Sequence, residues 1–417
     1  MGSAGTRRRD SGRATARLRC LAVVAFVGAL LGPSSAIAVA GHLGAGSPPI
    51  LASGLPAGNS WTQAGPPPRP EPFARAYAAI AFDRLAGDGV VFGGRSVGGT
   101  TLNDTWVNDG DFSGSWIDKA DDLTVSPPPL TNASLVYDRS DGYYVLFGGE
   151  FANGTASGQT WEFLGLDTWV DVTPFQVRSP PAQAGAGLAF DEADNTTVLF
   201  SGLGNVGLWT FEKGNWSAAP YTKSPLPRSG EAFAYDPADR AVFLFGGSGN
   251  GTIDETWEWS AGIWRDLTPA YSPPESLVPR AAYDPHGSGM LLYLGDRTES
   301  TWEFANSTWT NVALEGTDTP SPRLGAQLYF DSIVNHDILF GGIAVANGSI
   351  LSDDWGWAVP AAPVDPTLFP IPLSTTEVGG LAVVIAVPVA LAWFLRRRPP
   401  RRLPVSVPRA ASRASGI

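Results

Sequence analysis

The sequence predicts an all-β protein: a six-bladed β-propeller closed by an N-terminal strand. Three observations carry that reading. A short apolar run ending at or near glycine recurs six times, as Val91-Phe92-Gly93-Gly94, Leu146-Phe147-Gly148-Gly149, Leu199-Phe200-Ser201-Gly202, Leu244-Phe245-Gly246-Gly247, Leu292-Tyr293-Leu294-Gly295 and Leu339-Phe340-Gly341-Gly342. An aromatic–Asp pair precedes each run, ending in Asp83, Asp138, Asp191, Asp236, Asp284 and Asp331, always nine residues before the aromatic of the run. A tryptophan follows each run (Trp106, Trp161, Trp209, Trp257, Trp302, Trp355), and in five copies a second comes seven to ten residues later (Trp116, Trp169, Trp216, Trp264, Trp309).

Each landmark implies one strand. The constant interval across turn-type residues such as Asp236-Pro237-Ala238-Asp239 implies a hairpin in fixed register, joining strand A (ending in Asp) to strand B (the apolar run). The run is too short for a helix and rich in strand formers, and its glycines suit a backbone kink without side chains. The two tryptophans mark strands C and D. The sixth copy has strand C at Asp353-Asp354-Trp355 but no strand D. The missing piece stands at the other end, as Asn59-Ser60-Trp61-Thr62-Gln63. Trp61 precedes Asp83 by 22 residues, and the matching intervals elsewhere are 20 or 22. The N-terminal strand is therefore expected to complete the last blade, since ring closure leaves no exposed edge.

These residues resemble the Kelch-repeat family, which also builds the central domain of galactose oxidase. The match is the aromatic–Asp turn, the glycine-ended strand and the paired tryptophans at a period of about 50 residues. Arg75, Arg228 and Arg323 match the arginine that opens many such repeats. Copies 2, 3 and 5 carry Leu130, Gln183 and Ser276 there, and copies 3 and 5 also lack a full glycine pair. The resemblance implies a fold. It leaves function open, because propellers host binding modules and enzymes alike.

Of 15 tryptophans, 12 occupy repeat positions, with Trp259, Trp357 and Trp393 outside them. Packing between adjacent blades explains such regularity better than sugar stacking. Burying one tryptophan removes about 200 Å² from water, worth about 4–5 kcal/mol. Cys20 is the only cysteine, so ring closure is expected to be non-covalent. The net charge of −12 hides an asymmetry. Residues 1–40 hold six Arg and one Asp, and residues 396–417 hold seven Arg and no acid. The remainder carries about −24, a charge that repels nucleic acid.

The flanks read as export and anchoring segments. Residues 1–40 have the form of a signal peptide: a basic start, the apolar Leu21 to Leu31, and Ala38-Val39-Ala40 before Gly41. Residues 41–58 are a Gly/Pro/Ala-rich leader. Residues 59–359 hold the propeller and 360–377 a Pro-rich stalk. Residues 378–395 contain no charge and have the length of a transmembrane helix. The tail, 396–417, begins Arg396-Arg397-Arg398 and is expected in the cytoplasm, with the propeller outside.

No cofactor is expected. Copper-radical oxidation needs His and Tyr ligands and a Cys-modified Tyr. Only His42, His286 and His336 exist, and the latter two fall in turns of different blades. Sialidase-like hydrolysis needs an Arg cluster, and the propeller arginines are sparse. Asp109-Gly110-Asp111 reads as turn chemistry rather than a Ca²⁺ site, and Asp254-Glu255 as a solvated start to strand C.

Eight N-x-[ST] sequons, at Asn103, Asn132, Asn153, Asn195, Asn215, Asn250, Asn306 and Asn347, are candidate N-glycosylation sites. The expected binding face is the one bearing the B–C and D–A loops, whose lengths vary on a regular scaffold. Its candidates are Arg75, Arg228 and Arg323, which could converge near one mouth of the ring, and Asp296, Arg297 and Glu299 in a short B–C loop. The expected function is a cell-surface binding or adhesion ectodomain for a glycan, envelope component or protein. The alternatives are a carbohydrate-active enzyme with its site at the propeller channel, and a structural envelope protein.

Overall fold

Every aromatic–Asp hairpin forms, because each Asp carboxylate caps its own turn. Asp83, Asp138, Asp191, Asp236, Asp284 and Asp331 all accept a hydrogen bond on Oδ1 from the backbone N–H two residues on, at 2.7–3.0 Å. The computed structural model describes residues 60–63, 72–109, 115–201, 207–220, 223–249, 251–287, 289–296, 301–312 and 319–358. The expected signal segment, leader, stalk, membrane helix and tail lie outside these residues, as do Arg297, Glu299 and Asn250. Among the described residues no helix is long and apolar enough to cross a membrane.

Six antiparallel blade sheets follow in chain order, each of four strands except that of blade 1, where Arg75–Ala76 pairs with strand B as a fifth. Strands A to D are Ala79–Phe82, Asp88–Ser96, Thr101–Asp109 and Ile117–Asp118 in blade 1, then Ser134–Asp138, Tyr143–Phe147, Thr160–Leu164 and Thr168–Asp171 in blade 2. Blade 3 has Gly187–Asp191, Thr196–Ser201, Gly207–Glu212 and Asn215–Ala219, and blade 4 has Ala232–Asp236, Ala241–Phe245, Thr256–Ser260 and Ile263–Asp266. Blade 5 has Arg280–Asp284, Gly289–Tyr293, Thr301–Ala305 and Thr308–Asn311. Blade 6 has Gln327–Asp331, His336–Phe340 and Asp354–Ala358, and takes Ser60–Gln63 as its fourth strand. Trp61 pairs with Trp357 and Gln63 with Trp355 in that sheet. Strand A of each blade lies against strand A of the next all the way round, so the A strands line a central channel. The chain is a six-bladed propeller, closed as the spacing predicts.

Adjacent blades are joined by the residues that recur. Five of the six strand-D tryptophans pack on the strand-B aromatic of the preceding blade: Trp169 on Phe92, Trp216 on Phe147, Trp264 on Phe200, Trp309 on Phe245 and Trp61 on Tyr293, with ring centroids 5.1–6.0 Å apart, whereas Trp116 packs on Phe82 of its own blade. Trp259 and Trp357 belong to the pattern after all. They stand two residues beyond a strand-C tryptophan, where blades 2, 3 and 5 carry Phe163, Phe211 and Phe304, and these five rings each pack on the strand-D tryptophan of their own blade. The glycine pair makes a further join. The second glycine donates its N–H to the neighbouring blade, Gly94 to Leu130 O and Gly342 to Arg75 O, both at 2.9 Å. A Cβ on the first glycine would collide with that same carbonyl, at 2.7 Å from Gly93 and 2.5 Å from Gly341. Both positions also have positive φ, so a side chain is excluded twice.

Candidate functional site

Arg75, Arg228 and Arg323 do not converge on the channel. Each guanidinium is enclosed within its own blade. Arg75 holds Gly93 O and the Asp104 carboxylate, Arg228 holds Gly246 O and Glu255, and Arg323 holds Gly341 O and Asp353. Trp106, Trp257 and Trp355 donate Nε1 to the same three carboxylates. Glu255 is thus a structural ion-pair partner, not a solvated start to strand C. The sequence carries this signal: an acid stands two residues before the strand-C tryptophan only in copies that have the arginine. Asp296 is buried and serves blade 5 the same way, accepting Ser276 Oγ at 2.6 Å and Leu277 N at 3.0 Å.

The channel itself provides a different site. Aligned on the turn aspartates, the residues five positions earlier are Ala78, Ala133, Ala186, Glu231, Pro279 and Ala326. One position on they are Ala79, Ser134, Gly187, Ala232, Arg280 and Gln327. All residues of these two layers except Pro279 and Ala326 line a cavity of about 170 Å³ at the end of the channel nearest the B–C and D–A loops. Glu231 is the single acid in its layer and Arg280 the single base in the next.

Glu231 is only 6% exposed. Its Oε1 accepts the Gly187 N–H of blade 3 at 2.9 Å, while Oε2 is buried without a partner. Gly187 makes the room: a Cβ there would lie 2.6 Å from the Phe233 ring and 3.0 Å from Glu231 Oε1. Burial pushes the Glu231 carboxyl up to about 8, against the pull of Arg228, Arg280 and its backbone hydrogen bonds. Arg280 is half-buried on the same wall and donates to Ala326 O, Pro279 O and Gly230 O at 2.9, 3.0 and 3.4 Å. Burial draws its guanidinium below its ordinary value, opposed by Tyr77 and Glu231. A neutral carboxyl beside a cation, both lining one cavity, can donate and accept hydrogen bonds and offer positive charge together.

The ring is similar to the solved structure of YjhT. The TM-score is 0.52 at 15% identity, over 69% of this chain and 95% of that one. At that identity the likeness shows the fold alone. No family model and no curated protein matches the chain.

The opposite channel mouth, on the face of the A–B and C–D turns, is spanned by charge. Glu192 of blade 3 pairs with Arg84 of blade 1 at 2.7 Å and with Arg139 of blade 2 at 3.2 Å, over a second cavity of about 210 Å³. His286 lies in its A–B turn as expected, but His336 opens strand B of blade 6, and the two imidazoles are near enough to act on each other. His286 bonds Asn335 O of the next blade at 3.1 Å. Burial and then His286 hold the His336 imidazole below its ordinary value. Burial, with Asp284 adding to it, raises neighbouring Asp337 well above the carboxylate range. Among the described residues no three His, Cys, Asp or Glu side chains gather as a metal set.

The sequons differ in setting. Asn153 and Asn347 are exposed in B–C loops, each with Oδ1 accepting both the N–H and the hydroxyl of its own sequon Thr155 or Ser349. Asn103, Asn195, Asn215 and Asn306 are exposed, and Asn132 is half-buried at the channel cavity.

Proposed function

We propose that this propeller is a recognition module whose ligand enters the channel from the loop face. The observation that carries the reading is the unpartnered Oε2 of Glu231, buried in a cavity wall beside Arg280. A buried polar atom without a partner costs about 1–3 kcal/mol, and a ligand hydrogen bond recovers it. The surrounding surface supports docking of something larger. Nine of the twelve large exposed hydrophobics lie in D–A or B–C loops, among them Phe73, Phe175, Leu226, Tyr271 and Val177, the last 92% exposed. Concentration of apolar surface on one face suits a glycan or protein partner.

The repeat is read as Kelch-type, on the pattern described above, and the protein as membrane-anchored with the propeller outside. Strand C of blade 6 ends at Ala358 on the turn face.

One observation favours an enzymatic reading instead: a carboxyl kept neutral up to about pH 8 is a candidate general acid. A glycan array probed with the full chain, beside hydrolase and oxidase screens on the same preparation, separates the two. Binding without turnover, lost in Glu231→Ala, is the expected result. Turnover abolished by Glu231→Gln would establish the enzymatic reading, and binding indifferent to both substitutions would remove the channel site.

A further inference from the structure

Arg280 differs from the three repeat arginines in one respect. Arg75, Arg228 and Arg323 each meet a carboxylate at 2.5–2.7 Å. Arg280 meets only carbonyl oxygens, and among the described residues no carboxylate lies within ion-pair distance of it. Half-buried positive charge without a counter-charge is costly unless something supplies one. Glu231 stands just before strand A of the adjacent blade, but its Oε1 is occupied by Gly187 N, and burial raises its carboxyl to about 8, which favours the neutral form at pH 7. With Glu231 neutral, Arg280 is the one charged side chain among the residues that line the cavity.

We propose that the channel mouth binds a small anion, or the anionic group of a larger ligand, with Arg280 as its counter-charge and the Glu231 carboxyl as a hydrogen-bond donor. The inference rests on reading this mouth as the ligand site, and it adds the ligand's charge. With Nε and Nη1 turned to carbonyl oxygens, Nη2 is the group that can donate to an oxygen of a carboxylate, phosphate or sulfate. A protonated Oε2 adds a further donor, whereas an ionised Glu231 would repel the same ligand. Asn132, Ser134 and Gln327 line the cavity and suit hydroxyl or carbonyl groups next to the anionic centre. The volume of about 170 Å³ lies below the roughly 300–1,000 Å³ of pockets that enclose drug-sized molecules, so the bound group is small.

The charged and titratable groups around Glu231 are Arg228 on its own segment and Arg280 on blade 5, and blade 3 offers only the Gly187 N–H. Tyr77 faces Arg280 from blade 1, and burial raises its phenol, so it stays neutral across the range where Glu231 titrates. Anion affinity is therefore expected to fall as pH rises through about 8.

The test is calorimetric titration of the full chain in detergent with glucose, glucuronate, acetate, inorganic phosphate and sulfate. Glucose and glucuronate differ only in the carboxylate, and the free anions separate a simple anion site from one that needs the sugar. Glucuronate is expected to bind at least about tenfold more tightly than glucose. Its affinity is expected to drop by about tenfold or more between about pH 6 and about pH 9, and Glu231→Gln to abolish that drop. Arg280→Met removes the preference for glucuronate, and Arg280→Lys, which keeps the charge, retains part of it if the methionine variant fails to fold. Equal binding of glucose and glucuronate overturns the anion inference while leaving the mouth as a ligand site. Glucuronate binding unchanged in Arg280→Met overturns both. Failure of every anion to bind overturns the inference.

Discussion

Trp61 Nε1 donates to Thr301 Oγ1 at 2.7 Å, across 240 residues of chain. The bond joins the N-terminal strand, which completes blade 6, to strand C of blade 5. The same tie recurs around the ring, from Trp169 to Thr105, Trp216 to Thr160 and Trp309 to Thr256 at 2.9–3.0 Å. In each case the threonine immediately precedes a strand-C tryptophan.

Ring closure depends on this strand. Thr301→Val leaves the buried Trp61 N–H unpaired and is expected to cost about 1–3 kcal/mol. Trp61→Ala removes the ring that packs on Tyr293 and Trp357 as well, and is expected to cost about 3–5 kcal/mol. Urea denaturation followed by tryptophan fluorescence measures both. Equal costs for the two would show that packing contributes little to closure.

Trp264 lacks this tie, because Leu208 occupies the position that holds threonine in blades 1, 2, 4 and 5. Its Nε1 is buried without a partner. Trp264→Phe removes an unsatisfied donor and Trp309→Phe a satisfied one, so the first is expected to cost about 1 kcal/mol less than the second. A reversed order in matched denaturation curves contradicts the assignment.

The Arg323–Asp353 pair predicts sensitivity to acid. Burial alone would raise the Asp353 carboxyl, but hydrogen bonds from Arg323 and Trp355 and the Arg323 charge hold it below its ordinary value. Its folded value lies under the unfolded one, so its contribution is present above about pH 4 and is lost as pH falls through the folded value. Arg323→Met strands the carboxylate and is expected to cost about 3–5 kcal/mol at neutral pH. Stability measured from about pH 6 to about pH 2 should lose part of its acid slope in Asp353→Asn.

Glu231 predicts the opposite dependence. Its folded value of about 8 lies above the ordinary 4.5, so its contribution is complete below the ordinary value and declines as pH rises through about 8. The loss is on the order of 4 kcal/mol, and Glu231→Gln should flatten the curve between about pH 5 and about pH 9. A wild-type curve already flat there would mean that Glu231 is ionised and paired.

If the chain passes through a glycosylating compartment, Asn153 and Asn347 are the expected acceptors, being exposed with their sequon hydroxyls already bonded to the acceptor amide. Half-buried Asn132, with φ of 52° and its backbone bonded to neighbouring blades, is expected to remain bare. Glycopeptide mass spectrometry of the native protein checks both sites at once. Modified Asn132 beside unmodified Asn153 would reverse the ranking.

The repeat was legible because its landmarks are local. An Asp that caps its own turn, a glycine pair that turns sharply and a tryptophan on each outer strand act over a few residues, so their spacing shows in one chain. The tie from tryptophan to threonine was equally visible, since Thr105, Thr160, Thr256 and Thr301 hold one position, but it could be read only by asking what a strand-D indole meets next door. Glu231 and Arg280 also stood out as charges at positions otherwise apolar or small. The recurring arginines do not point to them, because recurrence in a ring marks structure shared by several blades, whereas a site sits where a blade departs from the repeat.

The sequence by itself determined the six blades, the hairpin register and the strand that closes the ring, because each follows from short-range spacing and from the need to cover a sheet edge. Only the tertiary structure decided that Arg75, Arg228 and Arg323 are spent inside their own blades, that His286 and His336 share a seam, and that Glu231 meets Gly187 and Arg280 at the channel mouth. Those relationships join residues of different blades, and the field and burial that set their chemistry exist only once the ring has closed.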